Sequence, residues 1–155
     1  MAHMARANPH WRDLEQAGEV LWVFRGPHAY ISPSFYEPDH NSVPTWNYAA
    51  VHAYGRVRMT DEASLRAHLD SMVTRYERGR PAPWSTAKLS EERIGNLLRG
   101  VVGFEVEITR LIGKRKLSQN RSPADQRGVI AGLEEADDAD SAAVGKLMRE
   151  LNNPG

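Results

Sequence analysis

The sequence predicts an α+β protein, mainly β, in which an antiparallel barrel or sheet is flanked by helices. In residues 28–32 and 46–54, aromatic, histidine or polar side chains mostly alternate with alanine, valine or isoleucine. This period of two is typical of strands. Residues 60–100 carry apolar side chains at helical spacing after capping residues, which predicts helices. We therefore expect strands at 19–25, 28–33, 44–59 and 103–117, and a proline-rich loop at 34–44.

Capping residues mark four helices, and a short helix is expected near the C-terminus. The expected starts are Asn8-Pro9, Thr60-Asp61-Glu62, Ser90 and Ser122-Pro123. An acidic cluster at 134–140 precedes the last helix. We therefore divide the chain into a domain at 1–133 and an acidic linker with a short helix at 134–155. The unbroken apolar run at 20–24 predicts a strand that is buried on both faces.

Composition limits the classes of function. The 155 residues include 20 basic and 20 acidic side chains, 41% are hydrophobic, and the formal net charge is zero. This balance argues against strong non-specific binding of nucleic acids. The absence of cysteine excludes disulfides, zinc–thiolate sites, iron–sulfur clusters and thiol nucleophiles. Residues 1–7 have no signal-peptide core and no apolar run has the length of a membrane span, so we expect a cytoplasmic protein without a membrane partner.

Catalytic and metal-binding motifs are weak. The histidines considered as ligands are scattered and form no HExxH pattern: His10, His28, His40, His52 and His68. His28 and His52 could lie on neighbouring strands and bind a metal, but a hydrogen-bonded strand histidine is the commoner arrangement. The sequence has no Gly-x-Ser-x-Gly elbow, no GxGxxG and no Walker A motif. No catalytic residue and no metal site are therefore predicted.

The stretch at 22–55 is dense in aromatic, histidine and proline residues and nearly free of charge. Its alternation puts polar and aromatic groups on one face of two strands, which is the make-up of a wall that binds a flat, hydrogen-bonding ligand. The candidate wall consists of His28, Tyr30, Ser32, Trp46, Asn47 and Tyr48. The alternative is that these side chains form the core of a barrel, as aromatic stripes in strands usually do.

Four segments carry a resemblance to a known family. They are ANPHW at 7–11, GPHAYISPS at 26–34, VPTWNYAAVHAYG at 43–55 and KLSQNRS at 116–122. With these segments in this order, the chain resembles the PaiB-type FMN-binding family, whose members are described as negative transcriptional regulators. The resemblance implies a split-barrel flavin-binding fold and a homodimer with FMN between its subunits. By comparison with the family, the usual N-terminal strands are lacking. Either the true start lies upstream, or the chain is a shortened member, in which an open sheet edge would weaken flavin binding.

Two segments are candidates for contact with the FMN phosphate, while the aromatic wall would hold the ring and the ribityl chain. The first is the helix entrance with Asn8 and His10, where free backbone N–H groups favour an anion; the alternative is that Asn8 only caps the helix. The second is the basic run at 110–121, for which the alternative is a solvated charged face. Because the resemblance implies that KLSQNR is a family signature, we favour Lys116, Gln119 and Arg121 as ligand contacts.

Three functions are compatible with the sequence. The first is an FMN-binding protein of the PaiB type that regulates transcription, with DNA binding supported by the resemblance alone. The second is a flavin-dependent oxidoreductase, since related split barrels include such enzymes, although no residue identifies a substrate. The third is a shortened, flavin-free interaction protein.

Overall fold

The computed structural model describes residues 1–38 and 41–152. Residues 39–40, which include His40 of the predicted loop, and residues 153–155 of the predicted C-terminal segment lie outside the described residues. The strands are β1 (Ala2–Ala5), β2 (Val20–Ile31), β3 (Thr45–Met59) and β4 (Val101–Lys116). The helices are α1 (His10–Gln16), α2 (Glu62–Glu77), α3 (Glu91–Arg99), α4 (Pro123–Glu135) and α5 (Ala139–Asn152). Short 3₁₀ turns occupy Pro33–Phe35 and Thr86–Lys88.

The strands of the described residues form an antiparallel sheet in the order β1-β4-β3-β2. β1 pairs with β4, where Ala2 lies opposite Phe104. The predicted fold class is confirmed: the chain is α+β, with an antiparallel sheet of the split-barrel type and flanking helices. The predicted strands at 19–25 and 28–33 are one continuous strand. β1 was not predicted, because its 4 residues are too few to show a period.

The chain divides into two compact units, each formed from two separate segments. Unit one comprises Met1–Leu21 and Tyr54–Arg110. Unit two comprises Trp22–Ala53 and Leu111–Gly155. The strands β2, β3 and β4 each run along the chain from one unit into the other.

Unit one has a small apolar core from its two longer helices. Leu65 of α2 is buried, as are Ile94 and Leu98 of α3. The carboxylate of Asp61 accepts a hydrogen bond from a backbone N–H in the first turn of α2 at 2.7 Å. Ser90 caps α3 in the same way. Both predicted helix starts are therefore confirmed, because each side chain satisfies a backbone donor that the helix leaves unpaired.

Unit two has a larger core, to which β2, α4 and α5 contribute. The buried members of this cluster are Ala29, Ile31, Tyr36, Leu117, Val129, Ile130, Leu133, Val144 and Met148. Ser122 caps α4, as predicted. Val144 and Met148 bring α5 into the same cluster as Leu133. The division of the chain at residue 133 stays a prediction.

The apolar run at 20–24 is not buried on both faces. Val20 is buried, but the side chains of Val23 and Phe24 are 52% and 51% exposed. β2 lies at the end of the strand order, so among the described strands it has a neighbour on one side only. The prediction was wrong because an apolar run reports the composition of a strand and not the number of layers that cover the sheet.

Candidate functional site

A groove on unit two collects several of the predicted aromatic residues. It has a volume of about 330 Å³, and its lining, which comes from β2 and β3, is almost wholly apolar. The lining residues are Val23, Arg25, Gly26, His28, Trp46, Tyr48, Ala49 and Ala50. Three members of the predicted wall, His28, Trp46 and Tyr48, therefore meet in one groove.

The rings in and beside the groove are arranged around Trp46. The His28 ring is stacked on it, with centroids 5.9 Å apart and an interplanar angle of 28°. The Tyr30 ring meets it edge-on, with centroids 6.0 Å apart and an angle of 75°. Trp46 is 52% exposed and Tyr30 is 49% exposed, so these rings are not the core of a barrel. They present apolar area to a ligand or a partner.

Gly26 brings the two strands of the groove close together. A Cβ atom at this position would lie 3.1 Å from the carbonyl oxygen of Ala49 and 3.2 Å from its Cβ. The floor of the groove therefore consists of backbone and small side chains, which leaves room beside the larger rings. Arg25 and Gly26 were not predicted as site residues. The Gly-Pro pair at 26–27 was a signal for Gly26, whereas one arginine in an apolar strand carries no pattern.

Two charged residues accompany the aromatic rings. Nδ1 of His28 lies 3.6 Å from Oδ2 of Asp140, which is in the first turn of α5. These side chains are 43% and 55% exposed, so water screens the interaction between their charges. Arg25 lines the groove, and its guanidinium has no carboxylate partner among the described residues. The groove therefore combines an apolar surface with a guanidinium group and an imidazole ring.

Asn47, which was predicted as part of the wall, lies on the opposite face of β3. It is 1% exposed, because it alternates along the strand with Trp46 and Tyr48. Its amide nitrogen donates to Ser118 Oγ at 2.9 Å and lies 3.5 Å from Met148 Sδ. Its polar groups are thus engaged in the interior of unit two and do not line the groove.

Ser32 is engaged by the backbone. Its hydroxyl accepts a hydrogen bond from the Ser34 N–H at 3.2 Å and lies 2.7 Å from the Ser34 hydroxyl. It thereby starts the turn at Pro33–Phe35, and it is not among the residues that line the groove. Its predicted contact with a ligand stays a prediction.

The segment at 116–122 forms a tight turn after β4. Ser118 is buried and adopts a left-handed backbone conformation with φ of 61°. Gln119 holds the turn, because its Oε1 accepts from the Leu117 N–H at 2.8 Å and its Nε2 donates to the Arg115 carbonyl at 2.8 Å. These bonds give Gln119 a structural role, and its contact with phosphate stays a prediction.

Lys116 and Arg121 flank this turn and already have partners. The Lys116 ammonium donates to the carbonyl oxygen of Trp46 at 2.6 Å and to the neighbouring threonine hydroxyl. An ammonium has three donors, so one remains for a ligand. The Arg121 guanidinium lies over the Tyr36 ring at 4.4 Å and donates to Ser42 at 3.1 Å. Of the two cations, Lys116 is the one bonded to a residue of the groove.

The helix entrance at residues 8–10 belongs to unit one and is occupied by local interactions. Asn8 Oδ1 accepts a hydrogen bond from the His10 N–H at 3.1 Å. His10 Nδ1 lies 3.5 Å from Oδ2 of Asp13, in the first turn of α1. A carboxylate in the first turn makes this helix start less favourable for a further anion. The geometry supports the capping interpretation of Asn8, although Pro9 occupies the cap position itself.

Metal centres and membrane spans are absent from the described part of the chain. Among residues 1–38 and 41–152, no three histidine, aspartate or glutamate side chains are grouped so that they could hold a metal ion. In the same ranges, no helix has both the length and the apolar character needed to cross a membrane.

Comparison with known proteins identifies the family. Residues 1–110 match the family described as "Putative FMN-binding domain". The chain belongs to this FMN-binding family. FMN is therefore the cofactor of its family, in agreement with the resemblance. The matched segment includes the groove residues of β2 and β3 and ends before the turn at 116–122.

Two sequence relatives support the assignment. The protease synthase and sporulation protein PAI 2 of Bacillus subtilis (strain 168) is 39% identical over 148 residues, which are 96% of this chain and 70% of that protein. An uncharacterized protein of Aspergillus fumigatus is 34% identical over 157 residues, with 88% of this chain and 60% of that protein covered. The resemblance to the PaiB-type family is confirmed.

A solved structure shares the fold of this FMN-binding family member. The FAD and heme binding protein from Mycobacterium smegmatis matches with a TM-score of 0.52 at 15% identity, over 81% of this chain and 57% of that chain. At this identity the likeness shows the fold alone. The chain spans less than two thirds of that structure and of the Aspergillus relative, so the activities of those whole proteins do not transfer to it.

Proposed function

We propose that this chain binds FMN in the groove of unit two, with the isoalloxazine ring against Trp46 and His28. The observation that carries the proposal is the stacked His28–Trp46 pair in a nearly apolar groove. Aromatic surface that stays in water is unfavourable, and grouped aromatic side chains at a surface mark binding sites. The groove lies within the segment that matches the FMN-binding family.

The residues of the groove fit the chemistry of a flavin ring. Small-ligand pockets measure roughly 300–1,000 Å³, are mostly apolar and contain a few polar groups that fix orientation. The groove has about 330 Å³, which suits the three-ring system rather than the whole of FMN. Arg25, His28 and Tyr48 line this nearly apolar groove, and their polar ends would be the groups to meet the pyrimidine edge of the ring. Bound FMN would supply a ring that accepts and releases electrons, while these residues bind and orient it.

We assign the phosphate of FMN to Lys116, with Arg121 as a second cation of the same turn. Lys116 retains one donor after its bonds to the start of β3, and its bond to the Trp46 carbonyl ties it to the groove. An ammonium forms a charge-assisted hydrogen bond to phosphate, which is about twice as strong as a neutral one. The helix entrance with Asn8 and His10 has less support, because Asp13 adds a negative charge to the first turn of α1.

The test compares two exposed tryptophans. Trp46→Ala removes the stacking surface, whereas Trp84→Ala removes an exposed tryptophan of unit one. In titrations followed by flavin fluorescence, FMN should bind about tenfold more weakly to Trp46→Ala and equally well to Trp84→Ala. Lys116→Ala should weaken FMN binding about tenfold and leave riboflavin binding nearly unchanged, since riboflavin has no phosphate. Equal affinities in all three variants would contradict the assignment.

We also propose that the protein is a homodimer with flavin at the subunit interface. Support comes from β2 at the edge of the sheet, where Val23 and Phe24 are about half exposed. An apolar strand edge that remains in water tends to associate. Light scattering coupled to size exclusion should give the mass of a dimer for the wild type and of a monomer for Phe24→Lys. A monomeric wild-type protein at micromolar concentration would exclude the dimer.

We further propose that the protein acts in the cytoplasm as a negative transcriptional regulator of the PaiB type. Its support is the similarity to the Bacillus subtilis protein, whose name connects it with protease synthesis and sporulation. A formal net charge of zero does not favour non-specific binding, so any complex with DNA should be sequence-specific. In mobility-shift assays with and without FMN, a promoter complex that survives excess competitor DNA would support regulation by direct binding. If the protein shifted promoter DNA and unrelated DNA equally, regulation by sequence-specific binding would be contradicted.

A further inference from the structure

Two histidine side chains of unit one meet at a place that the proposed function does not use. His3 lies on β1 and His68 lies on α2, and both are partly buried. Nδ1 of His3 is 3.5 Å from Nε2 of His68. The rings meet edge-on, with centroids 5.6 Å apart and an interplanar angle of 65°. The fold therefore brings together two imidazole nitrogens from residues that are far apart in sequence.

The separation of these nitrogens is close to that of two ligands on one metal ion. Zn²⁺ binds imidazole nitrogens at about 2.0–2.1 Å in a tetrahedral arrangement, which places two ligating nitrogens about 3.3 Å apart. Hydrogen bonds from an N–H group are usually shorter, at about 2.7–3.2 Å. A hydrogen bond between the two rings at 3.5 Å is therefore weak, whereas a small rotation of either side chain would let both nitrogens reach one ion.

The environment of His68 favours the form of the ring that binds a metal. A histidine ligand must be unprotonated at the nitrogen that binds the ion. Burial, and to a smaller extent the charge of His3, lowers the pKa of His68 below its ordinary value of 6.5. At neutral pH the His68 ring is therefore mainly uncharged. Protons on both rings would bring two like charges together, whereas one cation can bind the lone pairs of both.

We propose that His3 and His68 together bind one Zn²⁺ ion, which ties β1 to α2. Imidazole is a ligand that suits Zn²⁺. The pair is smaller than the groups of three side chains that are absent from residues 1–38 and 41–152, so water completes the tetrahedral coordination. β1 has 4 residues and lies at the end of the order of the described strands, where it pairs with β4. A metal link to α2 therefore stabilises this short strand.

Calorimetric titration of the metal-free protein with Zn²⁺ tests the site. The affinity should fall at least about tenfold in His68→Gln and in His3→Gln, since each variant removes one of the two ligands. His10→Gln is the matched control, because the His10 ring also lies near a polar partner, with Nδ1 3.5 Å from Oδ2 of Asp13. This control should keep the wild-type affinity. Equal affinities in the wild type and all three variants would overturn the proposal.

Nitrogen-15 NMR of the wild-type protein tests the site without any substitution. As Zn²⁺ is added, the ring-nitrogen signals of His3 and His68 should shift together and saturate at the same concentration, because one ion binds both rings. The signals of His10 should not follow them. If the His3 and His68 signals stay unchanged while Zn²⁺ binds, or saturate at different concentrations, no ion is shared between the two rings and the proposal is wrong.

Thermal unfolding and hydrogen exchange test the link between β1 and α2. A ligand that binds only the folded chain raises its melting temperature. Zn²⁺ should therefore raise the melting temperature of the wild type and of His10→Gln by the same amount, and that of His68→Gln by less. In the wild type, Zn²⁺ should also slow the exchange of backbone amide hydrogens in β1. An equal rise in His68→Gln, or exchange in β1 that Zn²⁺ does not change, would contradict the metal link.

Discussion

The two compact units of the chain differ in the size of their apolar clusters. Unit one has a cluster of three buried residues, Leu65, Ile94 and Leu98, with partly buried neighbours. Unit two has a cluster of nine. Unit two also carries the groove, and β2 contributes to both the groove and the cluster. The proposed site thus belongs to the unit with the larger apolar cluster, as expected of a site whose side chains must be held in fixed positions.

β2 links packing to the chemistry of the groove. Ala29 and Ile31 are buried in the cluster, while His28 and Tyr30 lie on the other face with their rings near Trp46. A shift of one residue in register would exchange these two faces. Burial of Ala29 and Ile31 therefore fixes the register of β2, and this register places His28 and Tyr30 on the side of the groove.

The largest expected difference between the units concerns leucine-to-alanine substitutions. Leu133→Ala, at a residue 1% exposed in unit two, should lower the free energy of unfolding by about 3–5 kcal/mol, because the cluster encloses the cavity that it leaves. Leu98 in unit one is 6% exposed and borders two surface grooves. Leu98→Ala should cost about 2 kcal/mol, because its surroundings can relax or admit water. Urea unfolding followed by circular dichroism measures both losses, and equal losses would remove the distinction.

Glycine-to-alanine substitutions in one helix of each unit test whether the surroundings have room for an added methyl group. A Cβ atom at Gly128 in α4 would lie 2.1 Å from the carbonyl oxygen of Phe35. At Gly95 in α3 the nearest atom would be the end of the Arg99 side chain, at 3.9 Å. Gly128→Ala should destabilise the protein by about 1–3 kcal/mol, whereas Gly95→Ala should stabilise it by about 0.5–1 kcal/mol through helix propensity. Thermal unfolding gives the two signs, and the same sign in both would contradict tighter packing at Gly128.

Substitution of Asn47 should affect the stability of unit two without affecting ligand binding in the groove. Asn47→Ala removes the partner of the buried Ser118 hydroxyl, which should cost about 1–3 kcal/mol. FMN affinity should change less than about twofold, since Asn47 and Trp46 point to opposite faces of β3. Melting temperature and flavin fluorescence can be measured on the same samples. A loss of FMN affinity as large as that in Trp46→Ala would show that Asn47 contributes to FMN binding.

Much of the fold could be predicted because helix starts and strands carry local signals. Asp61, Ser90 and Ser122 each cap the helix expected of them. Period-two segments located β3 and β4 to within a few residues. β1 was missed because it is a strand through its pairing with β4, and four residues show no period. The exposure of Val23 and Phe24 follows from the strand order, which no local pattern contains.

The candidate site could be predicted only in part. Alternation and composition identified His28 and Trp46, which line the same groove. Asn47 was grouped with them for its chemistry, although its place in the alternation puts it on the other face. Arg25 and Asp140 were missed, because their relevance comes from contacts between strands and with α5. Contacts between residues far apart in sequence are not encoded by periodicity or capping signals.

The smallest expected effect comes from helix caps, and here the two units should agree. Asp61 in unit one accepts from the Ser64 N–H at 2.7 Å, and Asp138 in unit two accepts from the Ser141 N–H at 2.8 Å. Hydrogen bonds with these serines lower the pKa of both carboxyls below the ordinary value of 3.8. A carboxyl whose pKa is lowered by folding stabilises the protein above its unfolded pKa, and this contribution is lost as the pH falls through the folded pKa.

Asp61→Asn and Asp138→Asn isolate this titration, since asparagine is an equally good capping residue and has no carboxyl. Each variant should be slightly less stable than the wild type near pH 7, and the difference should shrink as the pH falls from about 5 to about 3. Urea midpoints at a series of pH values measure the difference, which should be similar for both variants because both caps are exposed and have the same geometry. A difference that stays constant with pH would show that these carboxyls do not couple to folding. A pH-dependent loss of stability in only one of the two variants would show that the units differ in their helix caps as well as in their apolar clusters.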